Sequence, residues 1–241
     1  MNTLLWGVLP YVAFVLLVAG TVWRYKYDQF GWTTRSSEVY ESRLLSIASP
    51  VFHYGILFVL AGHLLGLFVP ASWTDAIGIK EHAYHLLSLF GGTLAGALAI
   101  AGIVALVARR RSNRAVFRAT TRNDKLMYVF LVAAIALGMT AKLMHSTLSD
   151  GYDYRDTMAP WARSLFTLQP KTDLMAEAPT AYHVHAVVGM ALIALVPFTR
   201  LVHMFSAPWQ YVFRPYIVYR ARDPKQLGTV PTRRGWERVD T

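Results

Sequence analysis

From Thr3 to Trp23 the chain reads TLLWGVLPYVAFVLLVAGTVW, without one charged side chain. About 20 apolar residues are what an α-helix needs to cross the hydrocarbon core of a bilayer. Inside that core only helices and closed barrels satisfy their own backbone polar groups. Four more such runs follow, at about residues 48–69, 86–108, 126–145 and 181–206. The chain is therefore predicted to be an all-α integral membrane protein with five transmembrane helices. Its 54% hydrophobic and 16% charged residues, with a mean hydropathy of +0.33, place it in the same class. Cysteine is absent, which excludes disulfides, thiolate metal sites and cysteine-ligated iron–sulfur clusters on this chain. The first run has no basic leader and is of full spanning length, so it reads as an anchor and not as a cleaved signal.

A net charge of +10 and a pI near 9.9 raise the question of nucleic acid. The distribution of the charge answers it. Of the 24 Lys and Arg, 18 lie in the linker after the first run, in the loop RRRSNRAVFRATTRNDK (residues 109–125) and in the tail from residue 207; the other two loops hold 4. By the positive-inside rule the N-terminus lies outside and the tail in the cytoplasm. The basic runs then set topology and attract lipid head groups, and no nucleic-acid role is assigned. The chain divides into a transmembrane domain, 1–206, and a basic cytoplasmic tail, 207–241.

Inside these apolar runs stand histidines, which are costly there. FHYGILFVLAGHLLG (52–66) carries His53 and His63, ten residues apart, hence about 15 Å along a helix and some 80° around it. In AYHVHAVVGMALIALVPFTRLVHMF (181–205), His185 and His203 are 18 residues apart, on one face and about 27 Å apart on an unbent axis. His183 points to the other side. The second and fifth runs are antiparallel, so His53 pairs with His203 near the cytoplasmic face and His63 with His185 nearer the outside. The unequal axial spacings require tilt or a kink, for which Pro197 is placed. Two facing pairs suit two haems with two axial imidazoles each. Taken singly, each histidine reads equally well as a ligand or as a structural or proton-relay group; four with compatible depths and faces favour ligation. Gly55, Gly62, Gly66 and Gly189, each within four residues of a ligand, would let a macrocycle approach the backbone. Arg200 is placed to bind a haem propionate or to snorkel to the interface. Lys142, at the outer end of the fourth run, reads as snorkelling, and Gly92 and Gly96 as close helix packing.

With RYKYDQFGW, RATTRND and the later ALG, and HAVVGMALIALVPFTRLVHMFSAP, these stretches resemble the gamma, or cytochrome b, subunit of membrane-bound respiratory nitrate reductase over most of the chain. The resemblance implies a multi-pass subunit of a prokaryotic cell membrane that carries two b-type haems. His53 and His203 would hold the proximal one, His63 and His185 the distal one. It implies that quinol, menaquinol or ubiquinol, is oxidised near the distal haem. Electrons then pass through distal and proximal haems to an iron–sulfur beta subunit and a molybdenum-containing alpha subunit that reduces nitrate, with no nitrate-reducing centre on this chain and with the tail docking to those partners. The family's quinol site includes a lysine just ahead of a Gly-Gly pair. In GIKEHAYHLLSLFGG (78–92), Lys80 stands further from Gly91 and Gly92, with His82 and His85 between. Each of the three is a candidate to hydrogen-bond a quinone oxygen or to accept its proton; the alternative is polar residues at a membrane surface. The competing expectations are a cytochrome b anchor of a formate dehydrogenase or hydrogenase, a proton-relaying transporter, and a purely structural anchor.

Overall fold

The computed structural model describes residues 2–32, 37–147, 152–206 and 213, with only the backbone described at 145–147. Helices make up the described chain: α1 (Thr3–Tyr27), α2 (Arg43–Phe68), α3 (Ala71–Ala76), α4 (Glu81–Ser112), α5 (Arg114–Arg118), α6 (Arg122–Thr147), α7 (Met158–Ser164), α8 (Thr172–Ala176) and α9 (Thr180–Leu195). Five segments are long and apolar enough to cross a membrane: α1, α2, α4, Arg122–Met144 of α6, and Thr180–Phe198. No more than 28% of any of them is buried within the protein. Large apolar side chains such as Leu4, Phe14, Phe58 and Phe90 face outward. Such a surface suits lipid, where apolar side chains need no cover.

The bundle is assembled by small residues. α2 lies along α4, where a Cβ on Gly55 would meet the Ala99 nitrogen at 2.5 Å and one on Gly102 would meet the Phe52 backbone at 2.5 Å. Backbones approach that closely only where side chains are missing. α4 also meets α6, with Gly92 beneath Lys142 and Gly96 beneath Met139, so the predicted packing role of that glycine pair holds. α9 packs against both α6 and α1.

Two expectations are revised. The fifth run is not one helix to residue 206: α9 ends at Leu195, a 3₁₀ turn covers Val196–Phe198, Thr199 is extended (φ −122°, ψ −178°), and a second 3₁₀ segment spans Arg200–Ser206. Pro197 has no N–H to continue the helix, so the segment breaks where a kink was expected. The second revision concerns the long loop near 146–180, which carries α7 and α8. Met158, Trp161, Ala162, Met175 and Ala178 from it join Trp6, Ala13 and Met190 in the larger buried cluster. Trp161 meets Trp6 edge-on at 6.0 Å and donates its indole N–H to the Trp6 carbonyl at 2.9 Å. The tail, 207–241, lies outside the described residues except for Phe213, and Met1–Phe205 forms one compact unit.

Candidate functional site: two facing histidine pairs

α2 presents His53 and His63 on its exposed surface, and both find partners across the bundle. The rings of His53 and His203 have centroids 6.0 Å apart at 69°, and those of His63 and His185 are 5.8 Å apart at 41°. Sequence spacing had paired the same residues. The break after Leu195 redirects the chain, so that 18 residues on one strand of the bundle match ten on the other.

The ring nitrogens are sorted by the backbone. Nδ1 of His53 lies 2.7 Å from the Ser49 carbonyl, Nδ1 of His63 2.8 Å from that of Val59, and Nδ1 of His203 2.5 Å from that of Arg200. A carbonyl oxygen only accepts, so each Nδ1 carries a proton and donates it. His185 differs: its Nδ1 is buried without a hydrogen bond, near the Ala134 carbonyl, and its ring is pressed on Gly138, where a Cβ would sit 2.7 Å from Cε1. Gly138 was not singled out from the sequence, because its contact is with another helix. His183 turns away, stacking on Trp6 at 5.0 Å and donating to the Met175 carbonyl at 2.5 Å.

These features fit haem iron. Two imidazoles on opposite sides of one metal, with metal–nitrogen bonds of about 2 Å, have ring centres roughly 6 Å apart. A hydrogen bond from the second nitrogen to a carbonyl is the usual way a ligating histidine is oriented. Among the described residues no group of three or more His, Cys, Asp or Glu comes together, so the donors are paired and not clustered. Of the four glycines named from the sequence, Gly62 and Gly189 face open space, whereas Gly55 is spent on α4 and Gly66 on Tyr154.

The end of the bundle holding His53 and His203 is the basic one, and its ion pairs support the break. Arg200 bonds Asp124 through two edges, Nε to Oδ1 at 2.6 Å and Nη2 to Oδ2 at 2.8 Å. Arg24 donates to the carbonyls of Pro197 at 2.6 Å, Thr199 at 3.4 Å and Gly31 at 2.5 Å, and Asn123 donates to that of Phe198. Three carbonyls that a broken helix would leave unpaired are thus served by side chains. The Thr199 hydroxyl accepts from Leu201 N–H at 3.3 Å and starts the next segment. Sequence reading missed this cap, although Pro-x-Thr is its local signal.

Lys80, His82 and His85 are all exposed near the start of α4. Starting from Gly55 opposite Ala99, eight steps along antiparallel α2 and α4 bring His63 level with Gly91. Lys80 then lies about 16 Å, and His85 about 9 Å, further along the axis. Lys142 differs from expectation: it crosses to α4, covers Gly92 and donates to the Ser88 hydroxyl at 3.3 Å.

Fold and pairs together define a class, a polytopic helical membrane protein with two facing histidine pairs. The chain belongs to the nitrate reductase gamma subunit family, whose model matches residues 2–222. It is 54% identical over 237 residues to "Nitrate reductase-like protein NarX" of Mycobacterium tuberculosis, a match covering 98% of this chain but only 36% of that protein. It thus spans about a third of that relative's length. The "Nitrate reductase gamma chain" of Bacillus subtilis is 38% identical over 219 residues, covering 91% of this chain and 98% of the relative. The "Respiratory nitrate reductase 2 gamma chain" of Escherichia coli is 30% identical over 223 residues, 92% of this chain and 98% of the relative.

Proposed function

We propose that this chain is the dihaem cytochrome b subunit of a quinol-linked respiratory nitrate reductase, anchoring the complex in a prokaryotic cell membrane. The observation that carries the reading is the pair of facing imidazoles at each of two depths, three of the four with Nδ1–H held by a carbonyl. His53 and His203 would hold the proximal haem, and His63 and His185 the distal one. Bound haem would supply one-electron redox chemistry. The remaining steps fall to protein groups. α2 fixes the distance between the two sites at about 15 Å. The break after Leu195 brings His203 to its depth. Arg200, already paired with Asp124, is the group nearest the proximal site in sequence that suits a propionate.

The basic end lies in the cytoplasm by the positive-inside rule, which puts His63 and His185 toward the outside. Quinol is oxidised at that end, its protons released outside while its electrons move inward to a partner's iron–sulfur and molybdenum centres for nitrate reduction. That separation of charge is what makes such a reaction contribute to membrane potential. The test is the reduced-minus-oxidised spectrum of the purified complex with its haem stoichiometry. Two haems are expected, falling to one in His63→Ala, with quinol-driven reduction lost; a preparation with no b-type signal would sink the reading.

A further inference from the structure

Lys142 is an ammonium within a candidate spanning segment that turns into a helix interface and not to the surface. Gly138, one turn before it on α6, carries the ring of His185, so Lys142 stands about 6 Å along the helix from the distal pair on the same side. It makes a 3.3 Å hydrogen bond to Ser88, although an ammonium has three donors. Gly91, level with His63, has open space where a Cβ would be. From Ser88 the polar groups continue outward: Ser88 lies beside the Tyr154 phenol, whose hydroxyl sits against Gly66 and is 3.0 Å from that of Tyr84 in the first turn of α4. Arg155 lies 3.9 Å over the Tyr84 ring and donates to Thr74 at 3.0 Å, which holds the loop carrying Tyr154 in place. Burial, then the Tyr84 hydroxyl, holds the Tyr154 phenol above its ordinary range, so it stays a neutral donor. Intramembrane ionisable groups are costly and mark function.

We infer that Lys142 and Ser88 hold a ring oxygen of the quinol, and that Lys142, Ser88, Tyr154 and Tyr84 form the path by which its proton leaves. This rests on the function proposed above. Lys142 N–H donates to Ser88, and the hydroxyls can turn to continue in that direction: Ser88 O–H toward Tyr154, Tyr154 O–H to Tyr84, and Tyr84 O–H to the outside. Lys142 hands one proton to Ser88 and takes the quinol hydroxyl's proton in its place. Each later hydroxyl gains one proton and gives up its own, so the path ends as it began with one proton delivered outside. One of the quinol's two O–H bonds breaks in this step and one electron leaves with it by the route already proposed; the second O–H bond and the second electron belong to a later step. Lys80, His82 and His85, exposed and further from the pair, are not needed for this step.

The experiment uses the whole complex in membrane vesicles, with Lys142→Met, Ser88→Ala and Tyr154→Phe variants. Menadiol serves as reductant and menadione as binding probe. The expected results are unchanged haem content, menadiol-driven haem reduction slowed on the order of a hundredfold in Lys142→Met, and weaker menadione binding in that variant. Tyr154→Phe should also slow reduction, with menadione affinity unchanged. Wild-type rates in the three variants would overturn the path while leaving the function standing. If menadiol fails to reduce the unsubstituted complex, function and path fall together. Should Lys142→Met lose haem, Ser88→Ala and Tyr154→Phe decide, and wild-type rates in both overturn the path.

Discussion

Gly138 illustrates how much one missing side chain controls. Nδ1 of His185 has no carbonyl of its own helix to orient it, so the ring is positioned by contact with the α6 backbone, where a Cβ on Gly138 would come 2.7 Å from Cε1. Gly138→Val should push the ring off its partner, at a cost of about 1–3 kcal/mol for overpacking. The check is a difference spectrum in which the contribution assigned to the His63–His185 site shifts or disappears while the other is kept. An unchanged spectrum would mean that the contact does not set the ring's position. By contrast, His53, with both the Ser49 carbonyl and the Ser49 hydroxyl at Nδ1, is oriented from within its own helix.

At the scale of elements, the break between α9 and the segment Arg200–Ser206 is the feature on which pairing depends. Its carbonyls are held by Arg24 on α1 and Asn123 on α6, so two neighbouring helices define where His203 sits. Gly20 lets α1 come this close, since a Cβ there would lie 2.8 Å from Pro197 Cγ. Arg24→Gln would leave buried carbonyls without donors, and each such loss costs roughly 1–3 kcal/mol. The expected outcome is loss of the haem at the His53–His203 site with retention of the other, measured by haem quantitation and thermal unfolding. Equal loss at both sites would instead mean that Arg24 supports the whole bundle.

For the molecule as a whole, aromatic and polar packing at the two ends adds to the close small-residue contacts between the spans, because lipid-facing helices have little hydrophobic reason to associate. At the far end α7 and α8 close over α1 and α9 through the Trp6–Trp161 cluster. Trp161→Ala should cost about 3–5 kcal/mol, read as a lowered unfolding midpoint in detergent. At the basic end Arg109, 3% exposed, bonds the Glu41 carboxylate and carbonyl and both oxygens of Ser37. The Leu44 N–H first, and then Arg109, hold the Glu41 carboxyl below its ordinary value of 4.5. A depressed folded value means the stabilisation is present above 4.5 and is lost as pH falls through the lowered value. Glu41→Gln should therefore be less stable than wild type at neutral pH, the difference closing in acid. A gap that persists in acid would locate its origin elsewhere.

How much of this was legible beforehand depends on the range of the interaction. Membrane spans are written in hydropathy, because a bilayer imposes one length and one polarity on any helix that crosses it. The histidine pairs were legible too: their order along two antiparallel apolar runs leaves one matching of depths. The end of α9 at Leu195, the inward turn of Lys142 onto Ser88 and the ordered loop of α7 and α8 were not legible. Each is decided by a partner more than 20 residues away: Arg24 for the break, Ser88 for the lysine, Trp6 for the loop. The sequence by itself determined that five apolar helices must present two pairs of imidazoles. Only tertiary packing decided how the rings meet, because a hydrogen bond or a glycine contact across helices has no signature within either one.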